Sequence, residues 1–266
     1  MRITGLVALI YILFLAGCGS GTEATETTAP VNYEIAILEP EIADNIEPEI
    51  FRIETANFIL RYYGEDAQVI KVVSDILESN FERITDILGV VPPRQTRVLI
   101  YASLCDFHRA VDWPDAEPWF VGWARVGAGE IYMVSPNNPG PVHSYDAMLK
   151  VAVHEFVHIA ARELNPTLRS NFLAEGLATY LAGQYESVAD TIQLRLYDSL
   201  TIPCVDTILG PYWDDMVYQV GFAFMQFIVA EFGYDGLVAL YRDPDEFVLN
   251  NVGLNEMWMN FLDVNY

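Results

Sequence analysis

Two histidines four residues apart enclose a glutamate in the run His154-Glu155-Phe156-Val157-His158. On an α-helix a step of four returns to the same face, so both imidazoles can reach one cation. Glu155 projects about 100 degrees round the helix from His154, beside such a cation rather than onto it, where a carboxylate can take a proton from water. The plainer reading is two histidines on a half-buried helix with a surface acid between them. Glu175 counts against it. It lies beyond the break at Asn165-Pro166, in the helical run Asn171-Phe172-Leu173-Ala174-Glu175-Gly176-Leu177-Ala178-Thr179-Tyr180. Leu173, Leu177 and Tyr180 give that helix an apolar side, and Gly176 and Ala178 admit a neighbouring backbone. Two histidines and one glutamate form an established ligand set for a catalytic zinc, with a fourth place left for water. The chemistry expected is hydrolysis assisted by one Zn2+ on His154, His158 and Glu175, with Glu155 as the base.

These side chains need two packed helices and a support beneath them. Apolar residues at helical spacing predict helices over 145–163 and 171–184, and further ones over 216–232, after Gly233 and near the C-terminus. The support comes earlier in the chain. Residues 51–63 read as one or two strands, 97–101 as a buried strand, and 119–126 with 130–135 as a strand pair around Gly127-Ala128-Gly129. Residues 65–88 form a long amphipathic helix with Gly89 as its stop. The class is therefore α+β, a small N-terminal mixed sheet with a long helix followed by a mainly helical C-terminal half. The strand over 130–135 is the expected cleft edge, where an extended peptide would add by backbone hydrogen bonds.

With 52% hydrophobic and 19% charged residues among 266, the chain can build a substantial core. Its net charge of −23, from 14 Lys and Arg against 37 Asp and Glu, excludes a nucleic-acid partner. Such a surface repels phosphate backbones. Three cysteines are too few for a disulfide scaffold. Cys105 and Cys204 either pair or stay as thiols. His143 reads as a loop residue. Trp113, Trp119, Phe120 and Trp123 either line a cleft or, as aromatic clusters usually do, build core.

The first 17 residues carry Arg2, an apolar run and then small residues, the layout of a signal peptide, too short for a comfortable membrane span. Leu15-Ala16-Gly17-Cys18 resembles the bacterial lipobox, which implies cleavage before Cys18 and lipid modification of its thiol. Residues 18–50 then form an acidic linker, free of Lys and Arg and holding eight acids, which cannot bury enough surface to order itself. The expected location is extracytoplasmic, with the domain of residues 51–266 anchored to a bacterial cell membrane or outer membrane. The sequence carries no signal for oligomeric state.

The set His154-Glu155-x-x-His158 with Glu175 resembles that of the gluzincin metallopeptidases. Ala174-Glu175-Gly176-Leu177-Ala178-Thr179-Tyr180 is similar to the N-E-G-F-A-[ST]-Y stretch of aminopeptidase N-like enzymes and smaller peptidase MA-like proteins. The resemblance implies a zincin-like fold, zinc-dependent cleavage of peptide or protein substrates, and catalysis by Glu155. Tyr218-Gln219-Val220-Gly221 is similar to Y-x-K-G, which implies that Tyr218 hydrogen-bonds the oxyanion. Read from the residues alone, Tyr218 is equally a packing tyrosine. Gly127-Ala128-Gly129-Glu130-Ile131 partly resembles the G-A-M-E-N strand, by which Glu130 would grip a free amine; otherwise it is a glycine-rich hairpin. The interval from His158 to Glu175 is slightly shorter than in the large aminopeptidases. The alternative is a catalytically silent peptide-binding or scaffold lipoprotein with the same fold.

Overall fold

The structure is a computed structural model that describes residues 36–37, 50–64, 67–197, 205 and 217–266. The expected leader, Cys18, nearly all of the acidic linker and Cys204 lie outside them. Among the described residues six strands form one mixed sheet: β1 (Ala36–Ile37), β2 (Ile50–Glu54), β3 (Phe58–Tyr63), β4 (Thr96–Tyr101), β5 (Gly122–Arg125) and β6 (Glu130–Val134). Their order is β1-β2-β3-β4-β6-β5, with β3, β4 and β6 parallel and the other neighbours antiparallel. The helices are α1 (Ala67–Leu88), α2 (Leu104–Ala110), α3 (Tyr145–Ala161), α4 (Asn171–Leu181), α5 (Ala189–Tyr197), α6 (Gln219–Arg242), α7 (Pro244–Asn250) and α8 (Leu254–Asn265).

Period-two alternation sends Ile53, Leu60, Val98, Ile100, Ile131 and Met133, all fully buried, to one face of the sheet. Helices α1 and α3 cover that face. Phe58 of β3 meets Phe156 of α3 edge-on at 5.1 Å, and Phe81 of α1 stacks on Phe156 at 5.5 Å. Such pairs add about 1 kcal/mol each beyond the area they bury. Because α3 lies between the sheet and the later helices, it is apolar almost all round, as a core helix must be. Its imidazoles therefore stand on a fixed platform.

Helix α4 crosses α6 where Gly176 faces Gly221. A Cβ on Gly176 would sit 2.9 Å from the Gly221 backbone, and one on Gly221 would sit 2.8 Å from the Gly176 Cα. The close approach expected of Gly176 is present, and only glycine permits it. The two helices expected on either side of Gly233 are both present and meet at a kink, where Gly233 is non-helical at φ 67; α6 denotes the pair. By length and composition α6 is apolar enough to cross a membrane. Its buried residues Val220, Phe224 and Phe227 pack inside the molecule, with Trp258 of α8 edge-on to Phe224 at 5.2 Å.

The sequence reading errs in one place that matters for the site. Strand β6 is paired on both sides, to β4 and to β5, so residues 130–135 are not the cleft edge. The edge is β5, because the chain enters the hairpin from outside and returns between β5 and β4.

Candidate metal centre

Ser144 caps α3, its hydroxyl accepting from the Ala147 N–H, and Ser170 caps α4 in the same way through Leu173. The two helices then bring His154, His158 and Glu175 together. His154 Nε2 lies 3.1 Å from His158 Nε2 and 3.1 Å from a Glu175 carboxylate oxygen, and His158 Nε2 is 3.5 Å from the same oxygen. Ligands of a tetrahedral zinc at about 2.0–2.1 Å from the metal stand about 3.3 Å apart. The triangle has that size, and its members are two imidazoles and a carboxylate, so the residues fit the ion the sequence implies. Two lone-pair nitrogens facing each other at such a distance need a shared cation or proton between them.

Gln184 completes the arrangement and was not visible as a site residue in the sequence. Its Oε1 accepts from His154 Nδ1 at 2.9 Å, which leaves Nε2 as the donor atom facing the triangle. Gln184 gets there through the end of α4. Gly183, at φ +59, donates to the Tyr180 carbonyl, and Gln184 donates to the Thr179 carbonyl, the Schellman pattern. The Gly183-Gln184 pair just past an apolar helix was the available signal.

Glu155 is 7% exposed and accepts from the Ala124 N–H of the edge strand. Burial pushes its carboxyl above the ordinary carboxylate range, against the pull of His154 and His158. Burial works the same way on Glu175, yet His158 and His154 outweigh it and hold that carboxyl well below its ordinary value. For His158, burial disfavours the charged ring, but the charge and hydrogen bond of Glu175, with Glu155 behind them, push it up. Thus Glu175 is held ionised beside the two imidazoles, while the carboxyl of Glu155 is raised. Gly122 makes room for this. A Cβ there would lie 2.7 Å from a Glu155 oxygen and 2.7 Å from Val151 Cγ1.

Tyr218, immediately before α6, places its ring centroid 6.5 Å from that of His154. Burial first, then Glu175 and Glu155, push its phenol well above the ordinary value, so it remains an O–H donor. It lines the same cavity of about 460 Å³ as the triangle. Trp113, Trp119, Phe120 and Trp123 also line it, so the cleft reading of these aromatics holds rather than the core reading. His143, expected as a plain loop residue, is on the cavity too and binds the Trp119 carbonyl through Nε2 at 2.9 Å.

Glu130 is elsewhere. It pairs with Arg97, with Arg125 at 3.3 Å and with the Tyr132 hydroxyl at 3.1 Å. On β6 it alternates with the core residues Ile131 and Met133, so it projects from the face of the sheet turned away from α3. It does not line the metal-site cavity. Cys105 is an exposed free thiol.

No family model matches the chain, and no curated protein sequence matches it. Among solved structures it is similar to an M1 zinc metallopeptidase from Deinococcus radiodurans, at 13% identity and TM-score 0.41 over 88% of this chain. A glutamate-to-alanine mutant of that enzyme gives the same figures. A two-domain M1 zinc metallopeptidase mutant bound to L-arginine is similar at 12% identity and TM-score 0.40. The chain spans about half the length, 52%, of each.

Proposed function

We propose that residues 51–266 form a zincin-like peptidase domain that cleaves peptide bonds, carried outside the cytoplasm on a lipid attached to Cys18 of a bacterial membrane lipoprotein. The observation that carries the catalytic reading is the triangle of His154, His158 and Glu175 atoms, 3.1–3.5 Å on a side, with Glu155 held beside it on the edge strand. These three side chains would hold one zinc. When bound, zinc supplies a Lewis acid that polarises a carbonyl and makes water more acidic.

The protein's own groups do the rest. Glu155 takes a proton from the attacking water as hydroxide adds to the peptide carbonyl carbon. It hands that proton to the leaving nitrogen as the C–N bond breaks, which balances the hydrolysis. Tyr218 donates its O–H to the carbonyl oxygen while negative charge builds there. The Ala124 N–H keeps Glu155 aimed.

Substrate seating follows from β5. The Val121 carbonyl accepts from the Val134 N–H at 2.9 Å, so by the alternation of antiparallel pairs Gly122 and Ala124 turn their backbone groups away from β6, toward the cavity. An extended peptide can pair with the Gly122 backbone and the Ala124 carbonyl, beside Glu155, which holds the Ala124 N–H. The charge pattern of residues 18–50, eight acids with no Lys or Arg, is that of a tether and supports the localisation.

Purified protein tests the reading. One zinc per chain, peptide cleavage lost on chelation and regained with zinc, and a Glu155→Gln variant that keeps zinc but does not turn over are the expected results. Undiminished cleavage by Glu155→Gln overturns the assigned base.

A further inference from the structure

The wall of the cavity carries more than the hydrolysis needs. Resting on the peptidase reading, we infer that Trp113, Trp119, Phe120 and Trp123 form a preformed subsite for a bulky apolar side chain of a peptide laid along β5.

The wall is built before any ligand arrives. The segment from Trp113 to Val121 has no regular secondary structure, yet it is fastened at both ends. The Trp113 N–H donates to the His108 carbonyl at 2.8 Å. The imidazoles of His108 and His143 bind the carbonyls of Phe120 and Trp119, each through Nε2 at 2.9 Å. Phe120 is gripped from below by fully buried Phe107 at 5.3 Å and meets Trp113 at 5.2 Å and Trp119 at 6.2 Å. A loop fixed this firmly still leaves Trp113 47% and Trp123 38% exposed. Large aromatic faces held open on a rigid frame gain most when another apolar group covers them.

The position selects the occupant. The wall runs straight into β5, whose Gly122 and Ala124 face the cavity, while Trp123 between them turns its ring to the opposite side of the strand, against Tyr132 at 5.6 Å. Side chains of a strand paired to β5 alternate between its two faces. Those on the Trp123 side would meet indole, while the backbone beside Glu155 stays in reach of the reacting groups. A polar side chain in this place would lose water without gaining a partner among the four rings. A bulky apolar one covers them.

Zinc-loaded Glu155→Gln protein provides the test, because binding is then read without turnover. Peptides identical except for one residue, Phe, Leu, Ala, Ser or Asp, are titrated by calorimetry, and wild-type cleavage rates are measured on the same set. Phe and Leu peptides should bind about ten- to a hundredfold more tightly than Ser and Asp peptides. Trp113→Ala and Trp123→Ala, at exposed positions, should each cut that preference several-fold, with zinc content unchanged and melting temperature lowered only slightly, by the loss of one ring contact. Equal binding of all peptides, or a preference that survives both substitutions, overturns the subsite. Preference without wild-type cleavage removes the peptidase reading and leaves the subsite; cleavage without preference does the reverse.

Discussion

The two sides of the cavity are made by different means. On the metal side, His154, Glu155, His158 and Glu175 stand on helices whose neighbours lock them: α3 is buried between the sheet and the later helices, and α4 is clamped to α6 through Gly176 and Gly221. On the aromatic side, Trp113, Trp119 and Phe120 stand on an irregular segment held by carbonyl contacts from His108 and His143 and by the bed of Phe107. Helical spacing places donor atoms to within tenths of an ångström, which a metal requires. A loop tied at a few points places surfaces, which is enough for an apolar side chain.

The largest effect should come from the metal side. Glu175→Ala removes the only carboxylate of the triangle, so zinc content should fall from one per chain to near zero, with cleavage at background, as measured by elemental analysis and peptide assay. Gly176→Val sets side-chain atoms against the Gly221 backbone, where a Cβ already comes within 2.9 Å. Overpacking of that kind costs about 3 kcal/mol, visible as a drop in denaturant midpoint. If α4 and α6 are free to separate, the drop will be absent and the metal side is no more rigid than the wall.

Tyr218→Phe should lower kcat about a hundredfold while leaving KM and zinc content nearly unchanged, because its hydroxyl acts on charge that exists only in the transition state. Gln184→Ala should weaken zinc about tenfold or more by releasing the His154 ring. On the other side, His108→Leu strips the Phe120 carbonyl of its partner. It should cost about 1–3 kcal/mol of stability and leave zinc affinity intact, a contrast that sharpens the division between the two walls.

Alkaline pH gives the smallest and most general effect. Burial raises the phenols of Tyr101, Tyr185, Tyr218 and Tyr241 above their ordinary value near 10. Above that pH the unfolded chain releases protons that the folded chain keeps, so stability falls as pH rises; it is whole below pH 10. Chemical denaturation at stepped pH measures the slope.

The same contrast explains what could be read from the sequence. His154, Glu155 and His158 were legible because helical periodicity is local, and Glu175 because a second apolar-sided helix follows within a short interval. Strands β2 to β6 and helices α1, α3 and α4 were visible in their apolar patterns. The order of β5 and β6 was not, since which hairpin strand pairs with β4 is decided by packing across the sheet. Of the two readings left open for Glu130, the glycine-rich hairpin holds: strand alternation puts its carboxylate with Arg97 and Arg125 on the far face. Gln184 reaches His154 only through the turn at Gly183, and the tryptophan wall forms only once α2 lies beneath it. Those contacts are tertiary, so no spacing in the chain encodes them.

The most direct measurement is crystallography of zinc-loaded protein with anomalous data at the zinc edge. One strong peak is expected, bonded to Nε2 of His154, Nε2 of His158 and a carboxylate oxygen of Glu175. A fully loaded protein whose ion lies elsewhere, or whose Glu175 turns away from both imidazoles, would contradict it.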